Sequence, residues 1–94
     1  MKKVKCELTW KGGCKDYSNF IINARNDRAY SKEECYDICS NTNDCAGFFH
    51  GITSKECHLY REGCVETLGT TWNYYAMSDC KIENGNISVQ NIIT

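Results

Sequence analysis

Two residue types in this chain bring chemistry with them, cysteine and histidine. The cysteines are Cys6, Cys14, Cys35, Cys39, Cys45, Cys57, Cys64 and Cys80, and the two histidines, His50 and His58, fall among them. Such a set can serve as disulfides, as a zinc site or as a thiol nucleophile beside an imidazole. Cys35, Cys39, Cys45, Cys57, His50 and His58 are the right ligand types for zinc. Yet no C-x2-C knuckle occurs, and the intervals of 3, 5 and 11 residues are not those of paired short ligands. A Cys–His nucleophile needs a free thiolate, and no G-x-S-x-G nucleophile turn is present. Eight cysteines in 94 residues is instead the density of a disulfide scaffold. The reading is therefore all eight cysteines in bridges, no metal, no cofactor and no catalysis.

The remaining composition narrows the class. Ninety-four residues make one small domain, whose single apolar core is marginal without cross-links. Eleven basic residues against twelve acidic leave a net charge of -1, which argues against a nucleic-acid partner. No apolar run is long enough to insert in a bilayer. Disulfides on this scale belong to an oxidising compartment, so the expected location is secreted or extracellular. Met1-Lys2-Lys3 is followed by Val4-Lys5-Cys6-Glu7 where a signal peptide requires an apolar stretch. Met1 is read as the start of an expressed piece, either a mature secreted protein or a slice of a larger one, such as one module of a tandem array.

Several elements must position these residues. Val4, Cys6, Leu8 and Trp10 alternate with polar neighbours as one strand, which Gly12-Gly13 ends. Phe20-Ile21-Ile22 is a second apolar piece, and Asn23 to Arg28 reads as loop. Ser31 with Glu34 three residues on forms a capping box, so a short helix starts at Ser31 with Cys35, Ile38 and Cys39 on one face. Asn41 and Asn43 suit its end. Strands follow at Ala46 to His50 and Cys57 to Arg61, joined through Gly51–Glu56, and a last strand covers about Trp72 to Cys80. The domain is read as residues 1–82. Residues 83–94 form a tail or an edge strand behind the turn signal Glu83-Asn84-Gly85-Asn86. The fold class is α+β, one short helix packed on an antiparallel sheet.

Eight cysteines permit 105 pairings, which spacing alone does not resolve. Cys35 and Cys39, one helical turn apart, have Cβ atoms about 5–6 Å apart. A disulfide needs about 3.8 Å, so each bonds outward. The run S-K-E-E-C-Y-D-I-C-S-N-T-N-D-C-A-G-F-F-H-G-I-T-S-K-E-C-H-L-Y, from Ser31 to Tyr60, resembles the core of PAN/apple domains. These carry C-x3-C on a helix, then a C-x-G-F strand and a C-x-L strand. The resemblance implies Cys35–Cys57 and Cys39–Cys45 as the helix-to-sheet bridges, with Cys6–Cys80 tying the first and last strands. Cys14 and Cys64 are then left to pair with each other, a departure from the common pattern. It also implies an extracellular adhesion or recognition module that binds a protein partner or a cell-surface glycan. A carbohydrate-specific lectin and a venom- or salivary-type antagonist of a host protein are the alternatives.

Two surfaces are candidates for binding. If Cys57 faces the helix, so do Leu59 and Arg61, while His58 and Tyr60 face away. Phe48, His50, His58 and Tyr60, with Trp72 and Tyr74, are assigned to that far face, where rings pack on sugar C–H faces. Lys55 and Asn73 supply hydrogen bonds there. The competing reading makes these aromatics a second core layer beneath the N-terminal strand. The second surface is basic: Lys2, Lys3, Lys5, Lys11 and Lys15, with Arg25 and Arg28, suit sulfated glycans or acidic proteins. The competing reading is a solvated face with lysines guarding an edge. Asn86-Ile87-Ser88 is a glycosylation sequon on Asn86.

Four bridges lower the intact mass by about 8 Da relative to the reduced chain. Mass spectrometry before and after reduction is expected to show that shift, and a chelator is expected to leave the melting temperature unchanged.

Overall fold

The computed structural model describes residues 2–84; Asn86 and the rest of the tail lie outside them. The elements run in chain order as β1 (Lys2–Cys6), β2 (Trp10–Lys15), a single-turn α1 (Tyr17–Phe20), β3 (Ile21–Arg25), α2 (Lys32–Ser40), β4 (Gly47–Gly51), β5 (Cys57–Tyr60), β6 (Val65–Ala76), a 3-10 turn (Met77–Asp79) and β7 (Cys80–Asn84). The fold is α+β, with a five-stranded antiparallel sheet ordered β2-β6-β4-β5-β3 and a two-stranded sheet of β1 and β7.

Helix α2 starts where the capping box puts it. The Ser31 hydroxyl accepts the Glu34 N–H at 3.0 Å, and the Glu34 carboxylate accepts the Ser31 N–H at 2.8 Å, so two otherwise orphaned donors are satisfied. Glu34 also pairs with Arg28 at 3.0 Å, and that guanidinium holds its carboxyl below the usual range. Cys35 and Cys39 are both buried on the inner face of the helix, and Asn41 caps its end.

The four bridges are Cys6–Cys80, Cys14–Cys64, Cys35–Cys57 and Cys39–Cys45, and no cysteine is free. Cys35–Cys57 rivets α2 to β5. Cys39–Cys45 does not reach the sheet, because Cys45 precedes β4, and it closes the turn after the helix instead.

The sheet is apolar on both faces. Toward α2 it presents Phe48, Cys57, Leu59 and Tyr75, which pack with Cys6, Tyr30, Cys35 and Cys39. On the far face, Phe49, Tyr60 and Tyr74 form a second buried layer, covered by Trp10, Phe20, Ile21 and Trp72. β4 and β5 are consequently buried along their whole lengths, as strands sandwiched between two layers must be.

The structure corrects several expected boundaries. The alternation of Val4 to Trp10 does not make one strand. The chain leaves the small sheet after Cys6, Leu8 becomes half exposed, and Trp10 opens β2 in the large sheet. Two backbone bonds steer that crossing, Glu7 N–H to the Asp79 carbonyl at 3.0 Å and Thr9 N–H to the Tyr74 carbonyl at 2.9 Å.

Gly12-Gly13 does not end the strand either, since both lie inside β2 at a bulge. Lys11 pairs with Asn73 but Gly12 pairs with Leu68, so Gly69 to Trp72 have no partner on β2. Gly12 has φ 142°, and a Cβ there would collide with the backbone of Thr67 to Gly69, which is why glycine occupies the bulge.

Asn23 to Arg25, expected as loop, form the end of β3, because an edge strand tolerates polar residues once β5 supplies its hydrogen bonds. The last strand begins earlier than expected, at Val65, and ends at Ala76, with a 3-10 turn before β7. β7 runs to Asn84, past the domain limit at residue 82 read from sequence.

The bridges close loops of very different length, with sequence separations of 74 for Cys6–Cys80 and 6 for Cys39–Cys45. By chain entropy the first contributes about 4–4.5 kcal/mol and the second about 2–2.5 kcal/mol. Urea unfolding of the two Cys→Ala double variants is expected to show the larger loss for the Cys6/Cys80 pair.

Candidate functional site

The far face of the sheet has a buried aromatic floor. Phe49 from β4 packs against Tyr60 of β5 at 4.4 Å and Tyr74 of β6 at 4.5 Å between ring centroids, and Trp10 of β2 stacks on Tyr74 at 4.3 Å. The Trp10 indole N–H donates to the Gly13 carbonyl at 2.9 Å, which fixes that ring over the layer.

One edge of the floor is open. His58 of β5 lies 4.4 Å from Trp72 of β6, and Tyr17 of α1 approaches both His58 and Tyr60. Trp72 is half-buried and Tyr17 is 45 % exposed. The His58 ring is held at both nitrogens, with Nε2 2.9 Å from Glu56 Oε1 and Nδ1 3.3 Å from Tyr17 Oη. An ionised carboxylate only accepts, so in the neutral ring Nε2 carries the proton and Nδ1 accepts from the Tyr17 hydroxyl. The result is a short Tyr17–His58–Glu56 chain beside an indole, at the rim of a dry layer. Its groups offer an apolar plate with a carboxylate oxygen and a phenol next to it.

The sequence candidates divide between the two faces. Phe48 and His50 are not on this face. The β4–β5 register pairs Phe48 with Leu59 and His50 with Cys57, and residues directly opposite share a face, so both point toward α2. Phe48 is fully buried there, and His50 Nε2 donates to the Tyr30 carbonyl at 2.6 Å, which ties the loop before α2 to the sheet. Asn73 pairs with His50 across β4–β6 and shares that inner side.

Tyr60 and Tyr74 are on the expected face but buried, as floor rather than contact surface. Trp72 stands half-buried at the rim, and His58 lies buried beside it. Lys55 is exposed in the turn before β5, in the left-handed backbone region at φ 62°, one residue from Glu56. Alternation within each strand was legible, but the phase between β4 and β5 depends on how the turn Gly51–Glu56 closes. Glu56 shares a strand face with His58 two residues on, a signal in the sequence itself. Tyr17 carried no such signal, because a different element brings it to His58.

The basic residues are spread over separate elements. Lys3 and Lys5 lie on β1, opposite Glu83 and Lys81, whereas Lys11 and Lys15 lie on β2 of the other sheet. Arg25 ends β3, and Arg28 pairs with Glu34 and lies over the Tyr30 ring. Two open clefts lie elsewhere, of about 170 Å³ among Lys5, Glu7, Ser78, Asp79 and Lys81, and about 470 Å³ among Asp44, Cys45, Ala46, Arg61 and Glu62. Each mixes charges of both signs. Among the described residues no group of three or more His, Cys, Asp and Glu could hold a metal ion. The four cysteines and two histidines weighed as zinc ligands are four bridged sulfurs and two imidazoles on opposite faces.

No family model, no curated protein and no solved structure matches the chain.

Burial pushes the phenols of Tyr60, Tyr74 and Tyr75 above the usual tyrosine range. The folded state therefore keeps these protons when the unfolded chain has begun to lose them. Their contribution to stability is intact below the ordinary value of 10.0 and is lost as pH rises above it. Equilibrium unfolding followed from pH 7 to 11.5 is expected to show stability falling above about pH 10. Tyr60→Phe is expected to reduce that alkaline slope.

Proposed function

We propose that this protein is an extracellular recognition module of the PAN/apple type, and that it binds a cell-surface glycan at the Trp72–His58 rim. The scaffold supports the class: a capped helix carrying C-x3-C is bridged to β5 and to the turn before β4, and a further bridge joins the first and last strands. Four disulfides support an oxidising, extracellular setting. Cys14–Cys64 is the bridge outside the common pattern, and it fastens β2 to the start of β6.

The observation that carries the ligand class is the half-buried Trp72 ring 4.4 Å from His58, with Glu56 and Tyr17 hydrogen-bonded to that imidazole. A pyranose lays its C–H face on an indole and gives its hydroxyls to neighbouring acceptors and donors. The rigid floor of Phe49, Tyr60 and Tyr74 holds the ring plate in place, so little ordering cost attends binding. The role is recognition, and its affinity for one site is modest, with avidity supplied by repetition.

A glycan array probed with the oxidised domain as an oligomer tests this reading. The expected result is binding to neutral sugars that survives added salt and is lost in Trp72→Ala, with Tyr17→Phe weakening it several-fold. Binding confined to sulfated glycans and abolished by salt would move the site to the lysines of β1 and β2. A blank array would overturn the glycan reading.

A further inference from the structure

Among the described residues, the two most exposed of the large apolar side chains lie on one strand. Leu68 is 82 % exposed and Val65 is 57 % exposed. Both belong to the first half of β6, which pairs with Gly12–Lys15 of β2 along one side. The other side of β6 meets β4 only from Trp72 onward, with the Thr71 carbonyl accepting the Ile52 N–H just before it. Val65 to Thr70 therefore present an open strand edge. Among the described residues no backbone group pairs with it, and all of its residues but the half-buried Thr67 are exposed.

Exposed edges invite strand addition, and proteins usually guard them with lysine, proline or charge. The outer strand β2 carries Lys11 and Lys15, and the outer strand β3 ends on Arg25. Val65-Glu66-Thr67-Leu68-Gly69-Thr70 has no Lys, Arg or Pro, and Glu66 is its one charge. Three of its six residues, Val65, Thr67 and Thr70, are β-branched, as strands favour. The Cys14–Cys64 bridge pins the start of this strand, and the Gly12 bulge fixes the ribbon's register. The edge is thus preorganised, and about 20 Å of it is available.

We propose that this edge docks an extended segment of a partner protein by strand addition, and that the segment places a Lys or Arg opposite Glu66 and an apolar residue opposite Leu68. The β2–β6 register puts Glu66 and Leu68 on one face, together with Cys14 and Gly12, and Val65 and Thr67 on the other. Main-chain hydrogen bonds along the edge supply affinity, while the alternate side chains supply selectivity. An incoming strand with a cation and an aliphatic residue two positions apart meets Glu66 and Leu68 at once. A second copy of this edge offers Glu66 no counter-charge, so charge complementarity favours a foreign strand. The proposal is independent of the glycan site, because it uses neither the far-face rim nor a sugar.

Selection from a displayed library of eight-residue peptides against the oxidised domain tests it. Enriched peptides are expected to carry Lys or Arg two positions from Leu, Ile or Val. Their affinity is expected to fall tenfold or more in Leu68→Asp, and peptide addition is expected to slow amide exchange at residues 65–70. Selection against Glu66→Lys is expected to replace the basic residue with Asp or Glu. Leu68 is so exposed that Leu68→Asp keeps the wild-type melting temperature and all four bridges, which separates lost binding from lost folding. The proposal is overturned by no enrichment, by peptides that bind both variants as well as wild type, or by protection at another strand. A concentration-dependent dimer in sedimentation velocity that disappears in Leu68→Asp would assign the edge to a second copy and overturn the foreign strand. Because the probe is a peptide, a blank glycan array leaves this result unaffected.

Discussion

The Cys35–Cys57 bridge is the constraint on which the arrangement of both faces depends. It joins two fully buried sulfurs, one on the inner face of α2 and one at the first residue of β5. With Cys57 turned toward the helix, the two-residue period of a strand puts Leu59 beside it and turns His58 and Tyr60 to the far side. The antiparallel register then carries the same division to β4, where Phe48 and His50 join the helix layer and Phe49 the aromatic layer. β6 continues it, with Tyr75 inward and Tyr74 outward. One covalent contact between helix and sheet thus fixes which side chains reach the rim.

Burying a sheet on both faces is demanding for a domain of this size, and the chain meets the demand with aromatics and sulfur. Each of the two layers is built round a phenylalanine on β4 and a tyrosine on β6, Phe48 with Tyr75 and Phe49 with Tyr74. The helix layer is closed by bridges, whereas the far layer is closed by Trp10, Phe20 and Ile21 from the first quarter of the chain. Polar atoms follow the same logic. Among the described residues no buried side-chain nitrogen or oxygen lacks a hydrogen-bond partner. His50 is spent on the Tyr30 carbonyl, while the equally buried His58 engages the side chains of Tyr17 and Glu56 through its two nitrogens. Two histidines eight residues apart therefore have different work, one holding a loop and the other orienting Tyr17 and Glu56 beside an indole.

The two proposed binding surfaces draw on different physics. At the rim, a plate backed by a dry and rigid layer suits a ligand with an apolar face and a ring of hydroxyls. At the β6 edge, recognition is mainly backbone to backbone, and side chains only select among strands. The bulge at Gly12 links them, because β6 there leaves its pairing with β2 between Leu68 and Asn73. The first half of the strand pairs with β2 alone, and the second half carries Trp72 and Tyr74 against β4.

The local features were legible in the sequence because they depend on residues a few positions apart. The capping box of Ser31 and Glu34, the inward face of Cys35 and Cys39, the alternation of Cys57 to Tyr60 and the α+β class are of this kind. The division of His58 and Tyr60 from Leu59 was equally legible. What only the tertiary structure decided was the relation between elements. A strand's own alternation does not state its phase against a neighbour, so only the β4–β5 register shows that Phe48 and His50 face the helix. Alternation through Val4 to Trp10 likewise does not say that two sheets share it, nor that Gly12 is a bulge rather than a stop. Tyr17 meets His58 from 41 residues away. Short-range pattern fixes helix starts and strand parity because its energetics are local. Register, layer and partner are set by which surfaces the whole chain buries together.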